Sequence, residues 1–220
     1  MPARGGSKRF SRKNLALLGG RPLVAWSIEA ARASGVCDRI IVTTEDDEIA
    51  EVARQWGAEL PFLRPPELAR DDVPNQAAID HALGWLAEHE NYVPEAVLIL
   101  QPTSPLRSGD DIRAAVELLA TSGASSVVSV SPARTPPHLL RQMEDKGRLS
   151  AWRAAEPPPV SALQRAALFQ LNGAIYIDRH PCVPAGEAPV GYIMPPERSL
   201  DIDSPWDLRL AEATLKTSLS

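Results

Sequence analysis

Apolar residues along the chain fall into two kinds of run, and their alternation predicts the fold. Short runs rich in aliphatic and β-branched residues, bounded by polar or turn residues, are typical of strands. The predicted strands are residues 38–44, 58–63, 96–100, 125–130, 172–177 and 190–194. Apolar residues at helical spacing predict helices over residues 22–35, 46–56, 75–90 and 110–120. A last helix is predicted from residue 205, with an apolar face formed by Trp206, Leu210 and Ala213. Such an alternation of strands and helices predicts an α/β fold with a largely parallel sheet, in which residues 96–100 form a central strand covered on both faces.

The alternation breaks over residues 131–170. This segment is rich in proline, and residues 143–149 have the composition of a hairpin turn. We predict one domain over residues 1–220, with residues 131–170 forming an inserted small lobe or dimer arm.

Composition narrows the class of protein. The chain has 220 residues, a formal net charge of −5 and a pI near 5.4, which argues against a general nucleic-acid binder. Two cysteines, Cys37 and Cys182, provide no disulfide framework and favour a reduced, cytoplasmic location. No apolar run approaches the ~18 residues of a membrane span, and no signal-peptide pattern is present, so no membrane partner is expected.

The first fourteen residues form a basic, glycine-containing stretch without an acidic residue. Its basic side chains are Arg4, Lys8, Arg9, Arg12 and Lys13. The glycines Gly5 and Gly6 allow several backbone N–H groups to converge on an anion, and the basic side chains add positive charge. The stretch predicts a cradle for a polyphosphate such as a nucleoside triphosphate, although it lacks the Gly-Lys-Ser/Thr ending of a Walker loop. The alternative is a solvated basic tail.

A second candidate site lies near the carboxyl end. In an extended backbone, Asp201 and Asp203 point to the same side while Ile202 points into the core. Two such carboxylates suit Mg²⁺, which typically takes one or two protein carboxylates together with substrate phosphates. In the alternative interpretation Asp203 only caps the last helix, with Ser204 and Pro205 beginning it. A phosphate cradle and a magnesium site together indicate nucleotidyl transfer.

Five motifs in this order give the chain its resemblance to a known family. They are PARGGSKR with RKN at residues 2–14, RPPELA at 64–69, QPTSPLR at 101–107, NGAIYI at 172–177 and DID at 201–203. Nearly end to end, the chain resembles the N-acylneuraminate cytidylyltransferases (CMP-sialic acid synthetases) and their relatives that act on pseudaminic and legionaminic acids. The resemblance implies a Rossmann-like nucleotidyltransferase three-layer sandwich with a dimerisation lobe, and a homodimer in the cytoplasm.

The resemblance also implies a function and its residues. CMP would pass from CTP to the anomeric hydroxyl of a nonulosonic sugar acid, with release of pyrophosphate and with Mg²⁺ as cofactor. The implied CTP-binding residues are Arg4, Gly5, Gly6, Ser7, Lys8, Lys13, Asn14, Arg64, Asp71 and Asn75. The implied sugar-binding residues are Gln101, Asn172 and Tyr176. The implied catalytic residues are Lys13, Arg4, Asp201 and Asp203, and the last two would hold the metal.

The chain departs from the family pattern in two places. Relatives begin with a buried apolar strand that leads into the Pro-Ala-Arg loop, whereas here Met1 directly precedes Pro2; we expect either a start further upstream or a rearranged core. In the lobe, residues 162–166 replace an Arg-Gln-x-Leu-Pro run of relatives, and Arg165 or Arg141 are candidates to substitute for it. Two alternatives stay open for these reasons: a cytidylyltransferase for another ulosonic acid, and a catalytically silent nucleotide-binding protein.

Overall fold

Helices form where the sequence predicts them. The computed structural model describes residues 1–6, 10–151, 167–180 and 187–218. Its α-helices are α1 (Leu23–Ser34), α2 (Asp47–Gln55), α3 (Asn75–Glu90), α4 (Gly109–Ser122) and α5 (Pro205–Ser218). Their ends have local causes: Gly35 ends α1 in the left-handed region, and the Asp46 side chain accepts from the Ile49 N–H at the start of α2.

The main sheet contains four strands whose spatial order differs from their order in the chain. The strands of the described residues are β1 (Leu17–Leu18), β2 (Arg21–Pro22), β3 (Ala96–Ile99), β4 (Ser126–Pro132), β5 (Arg141–Met143), β6 (Leu149–Ala151), β7 (Phe169–Arg179) and β8 (Val190–Ile193). The main sheet has the order β3-β7-β4-β8. β7 is antiparallel to both β3 and β4, and β4 is parallel to β8. Since β7 separates them, β3 and β4 run in the same direction, and β7 alone among these four strands is reversed.

This arrangement corrects the expectation for residues 96–100. The sequence predicts a central parallel strand there, but β3 is an edge of the four-stranded sheet and its partner is antiparallel. Ala96 is exposed and the next three residues are half-buried, so only Leu100 of this run is fully buried. An apolar run indicates burial but does not say which strand lies beside it.

Residues 38–44 and 58–63 are extended but pair through single bridges rather than long ladders. Ile41 forms a parallel bridge with Glu59, and Pro2 forms one with Thr43. The Val42 N–H donates to the Glu59 carbonyl at 3.0 Å, and the Thr43 N–H donates to the Met1 carbonyl at the same distance. The first residues of the chain therefore lie beside residues 41–43 as a short parallel segment.

The apolar core connects these elements. One cluster joins α1 and α4 to β4 and β7, and a second joins α1 and α2 to residues 3 and 42. A third cluster, which includes Leu18, Ile202 and Ala211, holds α5 against β1. The face of α5 that carries Trp206, Leu210 and Ala213 is mostly solvent-exposed, with Trp206 59% exposed. The packed face of α5 is instead the one with Leu208, Ala211 and Leu215.

The segment predicted to form a small lobe contains one described hairpin. β5 and β6 form an antiparallel hairpin that places Met143 opposite Leu149, and it agrees with the turn predicted at residues 143–149. The rest of the predicted lobe, residues 152–166, lies outside the described residues, and so does Arg165. Residues 167–170 already belong to the approach and start of β7.

Candidate active site

Two adjoining cavities form one crevice beyond the ends of the sheet strands. The first, about 430 Å³, is lined by residues from both ends of the chain and from the loop after Arg64. The second, about 490 Å³, is lined by residues of β7 and of the loops after β4 and β8. Gln101 and Asp201 line both cavities. Two ligands bound in this crevice would therefore meet at these two residues.

The basic stretch and the aspartate pair meet in the first cavity. The Lys13 Nζ donates to the Asp203 Oδ1 at 2.7 Å, across 190 positions of sequence. The Lys13 side chain is only 15% exposed, whereas that of Asp203 is 49% exposed. Arg12, in the left-handed region with φ 54°, immediately precedes the 3-10 turn Lys13–Leu15. This local geometry places the ammonium of Lys13 in the crevice.

Asp201 and Asp203 flank a buried residue, as the alternation of an extended chain predicts. Ile202 is 0% exposed, and its N–H donates to the Thr103 carbonyl at 2.7 Å. Burial of its carboxyl group is the main cause that raises the pKa of Asp201, and the negative charge of Asp203 raises it further. A hydrogen bond from Thr103 and the charge of Lys13 act in the opposite direction. The two carboxylates are thus electrostatically coupled neighbours.

The capping alternative for Asp203 is wrong. Ser204, not Asp203, caps α5: the Asp207 N–H faces the Ser204 Oγ at 3.4 Å, and the Asp207 carboxylate accepts from the Ser204 N–H at 2.8 Å. The Asp203 side chain instead points to Lys13. The preceding segment is anchored by Arg198, whose guanidinium donates two hydrogen bonds of 2.9 Å to the buried carboxylate of Asp111. The sequence analysis did not identify this anchor.

Residues 4–6, here called the glycine loop, accept and donate hydrogen bonds that fix their backbone. The Gly5 N–H donates to the Glu45 Oε1 at 2.8 Å, and the Asn14 Nδ2 donates to the Arg4 carbonyl at the same distance. A Cβ at Gly5 would lie 2.4 Å from an oxygen of Asp46, so a side chain does not fit there without a shift. At Gly6, by contrast, an added Cβ meets nothing within 4 Å. Ser7 and Lys8 lie outside the described residues.

Four further residues predicted to bind the nucleotide line the same cavity: Arg4, Arg64, Asp71 and Asn75. Arg4 forms an ion pair of 2.6 Å with Asp71, which connects the glycine loop to the loop after Arg64. Asn75 begins α3 and also faces this cavity. Arg64 is 3% exposed and donates to the Thr43 carbonyl and hydroxyl, and burial lowers its pKa. Its guanidinium therefore braces the end of residues 41–43 at the cavity wall.

The side chains predicted to bind the sugar acid line the second cavity, but they differ in burial and in their hydrogen-bond partners. Tyr176 is half-buried, and desolvation followed by the charge of Asp201 raises its pKa. Asn172 is buried, and its Oδ1 accepts from the Ser129 Oγ at 2.6 Å while its Nδ2 donates to the Ser199 Oγ at 3.0 Å. The Asn172 amide thus holds together three segments around the cavity. Gly173 has φ 75°, and a Cβ there would contact the Gln101 Oε1 at 3.4 Å.

Two arginines contribute to this region without having been predicted in it. Arg107 is buried and donates to the carbonyls of Ala174 and Gln101. Burial lowers its pKa to about 9. Arg134, which follows β4, lines the second cavity. Its position just after a predicted strand was the available signal, because ligands of α/β sheets lie beyond strand ends.

Comparison with known proteins identifies the family. Residues 1–156 match the sequence profile described as Cytidylyltransferase. The chain belongs to the cytidylyltransferase family.

Individual relatives place the chain within that family. It is 35% identical to the CMP-N,N'-diacetyllegionaminic acid synthase of Legionella pneumophila, over 98% of this chain and 94% of the relative. It is 36% identical to the N-acylneuraminate cytidylyltransferase of Escherichia coli O18:K1:H7, over 96% of this chain and 50% of that protein. The chain thus spans about half the length of this second relative.

A solved structure shows the same fold. The CMP:2-keto-3-deoxy-manno-octonic acid synthetase complexed with CTP superposes with a TM-score of 0.71 at 14% identity, covering 99% of this chain and 97% of the other. The predicted nucleotidyltransferase α/β fold is thereby confirmed. Within the described ranges, none of the helices has the length and apolar character needed to cross a membrane.

Proposed function

We propose that this cytidylyltransferase moves CMP from CTP to the anomeric hydroxyl of a nonulosonic sugar acid and releases pyrophosphate. The observation that carries the proposal is the junction of the two cavities at Gln101 and Asp201, next to the ion pair of Lys13 with Asp203. The names of the relatives, which include a legionaminic acid synthase, an N-acylneuraminate cytidylyltransferase and a pseudaminic acid cytidylyltransferase, favour this substrate class.

The first cavity suits the nucleotide. The basic side chains of Arg4, Lys13, Arg64 and Arg70 line it and provide positive charge for a triphosphate. The guanidinium of Arg4 can bind two phosphate oxygens at once. Lys13 would neutralise charge at the α-phosphate and hold it in position for attack. Arg4 is paired with Asp71 in the structure, so binding of a triphosphate would exchange a carboxylate for a phosphate as its partner.

The second cavity suits the sugar acid. Gln101 and Tyr176 offer hydrogen-bonding groups at the border with the first cavity, and Arg134 offers a positive charge for the acceptor's carboxylate. Such an arrangement would orient the anomeric hydroxyl toward the α-phosphate, and most of the rate enhancement would come from orientation and charge neutralisation.

The aspartate pair fits a magnesium ion. Asp201 and Asp203 offer two coupled carboxylates beside the phosphate-binding groups, while no group of three or more His, Cys, Asp or Glu suited to a metal occurs in the described residues. Mg²⁺ commonly takes only one or two protein carboxylates and completes its shell with phosphate oxygens and water. When bound, it would supply further neutralisation of the triphosphate charge.

We also propose that the enzyme acts in the cytoplasm.

Pyrophosphate release tests the proposed function. We expect turnover with CTP but not with UTP, ATP or GTP, and only when magnesium and a nonulosonic acid are both present. The acceptor panel should contain sialic, legionaminic and pseudaminic acids together with an eight-carbon ulosonic acid. Turnover with UTP, turnover without metal, or no turnover with any acceptor would contradict the proposal; a preference for the eight-carbon acid would change only the acceptor.

We further propose that two copies associate through the β5–β6 hairpin. Met143 and Leu149 lie opposite each other on one face of this hairpin and are 67% and 63% exposed. Leu139 and Leu140, which directly precede the hairpin in the chain, are exposed as well. Adjoining exposed apolar side chains are typical of interaction surfaces.

A hairpin variant tests the dimer. Met143→Asp places a charge on the apolar face and is expected to convert the dimer to a monomer, as measured by light scattering coupled to gel filtration. Gln142→Asp, at the adjacent residue whose side chain points to the opposite face, should leave the dimer intact. A monomeric native protein, or a dimer that persists in Met143→Asp, would refute this interface.

A further inference from the structure

A buried ion pair lies behind the crevice, between the segment that joins β8 to α5 and the first turn of α4. Arg198 belongs to the segment and Asp111 to the helix. The Asp111 side chain is 1% exposed, and each of its carboxylate oxygens accepts a hydrogen bond of 2.9 Å from the Arg198 guanidinium. Neither residue lines either cavity of the crevice. The pair therefore acts on the site, if at all, through the segments that it joins.

The Asp111 carboxylate also fixes the end of the loop that precedes α4. Its Oδ2 accepts from the Ser108 N–H at 2.9 Å and from the Ser108 Oγ at 2.8 Å. These two bonds belong to a capping box, which is a common reason for an acidic residue in the first turn of a helix. The capping box does not account for the Oδ1, which accepts from Arg198 and, at 3.1 Å, from the Tyr192 hydroxyl. Asp111 thus joins the loop before α4 to β8 and to the segment after it.

The same loop and segment meet a second time, inside the crevice. The Ile202 N–H donates to the Thr103 carbonyl at 2.7 Å, and the Thr103 side chain donates to the Asp201 carboxylate. Thr103 follows Gln101 by two residues, so this contact lies where the two cavities join. The loop before α4 and the segment before α5 are therefore tied together at two places, one behind the crevice and one in it.

We propose that Asp111 and Arg198 are positioning residues, which hold Asp201 and Gln101 in the relative position that the two substrates require. This inference rests on the proposed function. Arg198 precedes Asp201 by only three residues, so a shift at the ion pair displaces the carboxylate. A guanidinium that donates to both oxygens of a carboxylate fixes the orientation of the segment as well as its distance. Groups that orient ligand side chains in this way typically change metal affinity or activity by about 10- to 100-fold.

Arg198→Gln tests the proposal. The Arg198 side chain is 40% exposed, and its loss leaves the capping bonds of Asp111 in place. We expect turnover at saturating CTP and acceptor to fall by about 10- to 100-fold, and the magnesium concentration for half-maximal turnover to rise by about 10-fold. The Ile202 amide should exchange its hydrogen about 10-fold faster in NMR measurements on the free protein, because its hydrogen bond opens more often. The Val42 amide, which donates to the Glu59 carbonyl elsewhere in the fold, should exchange at the native rate.

Two variants provide controls. Tyr192→Phe removes another donor from the same carboxylate but leaves the Arg198 anchor, so it should keep native turnover, magnesium dependence and Ile202 exchange. Arg198→Lys keeps the charge without the planar fork, so its values should lie between those of the native protein and Arg198→Gln. Arg198→Lys carries the same comparison with the native protein if Arg198→Gln does not fold.

Three results would overturn the proposal. The first is native magnesium dependence and native Ile202 exchange in Arg198→Gln, even with a lowered thermal midpoint, because the pair would then only stabilise the fold. The second is faster Ile202 exchange with native turnover, because the looser segment would not affect the site. The third is an equal loss in Tyr192→Phe, which would trace the effect to Asp111 alone. Hydrogen exchange needs no substrate, so an unchanged Ile202 amide refutes the positioning role and an inactive native protein refutes the proposed function.

Discussion

Asp203→Asn is expected to reduce pyrophosphate release by about 1,000-fold, because it removes one of the two carboxylates that we propose as metal ligands and also removes the carboxylate partner of Lys13. The substitution preserves the size of the side chain. The Asp203 side chain is 49% exposed, so its ion pair with Lys13 contributes only about 0–1 kcal/mol to the free energy of unfolding. The thermal midpoint should therefore shift by no more than about 4 °C. The loss of activity would then reflect chemistry rather than unfolding.

A matched variant provides the control for Asp203. Asp110 is 84% exposed at the start of α4 and pairs with Arg113 three residues later. Asp110→Asn should retain native turnover and a native midpoint. If Asp203→Asn turned over within a few-fold of the native rate at saturating magnesium, Asp203 would not be a catalytic residue. Titration of magnesium adds a second readout, because loss of a metal ligand raises the concentration that gives half-maximal turnover.

Lys13→Met is expected to lower turnover by about 100- to 1,000-fold, since its ammonium donates a hydrogen bond to Asp203 in the crevice and is the group that we propose to neutralise the α-phosphate. Methionine retains most of the apolar stem, so packing around this side chain, which is 15% exposed, is largely preserved. The change should appear in the rate of the chemical step more than in the affinity for CTP. Single-turnover kinetics with saturating CTP measures the two separately.

Two further variants qualify the result for Lys13. Lys13→Arg keeps the charge but replaces a compact ammonium with a planar fork, so partial activity is expected. Lys216→Met, at an exposed position of α5, should be fully active. A loss confined to CTP affinity, with an unchanged chemical step, would assign Lys13 to binding alone.

Local signals in the sequence predicted the helices well. The bounds of α3 agree with the prediction at both ends, and α1, α2 and α4 differ by one or two residues. The reason is that helices depend on contacts between near neighbours and end at local features such as Gly35 or the Ser108 cap. The motifs of residues 2–14 and of Asp201 to Asp203 are equally local, and the phosphate and metal chemistry inferred from them stays a prediction.

Local signals failed where pairing partners were remote. The sequence predicted β3 as a central parallel strand, but β7, more than 70 positions later, inserts between β3 and β4 in the opposite direction. The sequence also did not predict which face of α5 packs on the core, or that the side chain of Arg107 donates to the carbonyls of Ala174 and Gln101. In each case the apolar or charged residue was recognised, but its neighbour in space was not encoded by spacing along the chain.

The sequence by itself determined the α/β class, the helices, and the chemical character of two separate stretches, because these follow from periodicity and residue type. Only the tertiary structure decided that Lys13 and Asp203 form a contact and that Gln101 and Asp201 lie where two cavities join. These relations are non-local: they depend on which strand edges pair and on which loops the sheet brings to one end.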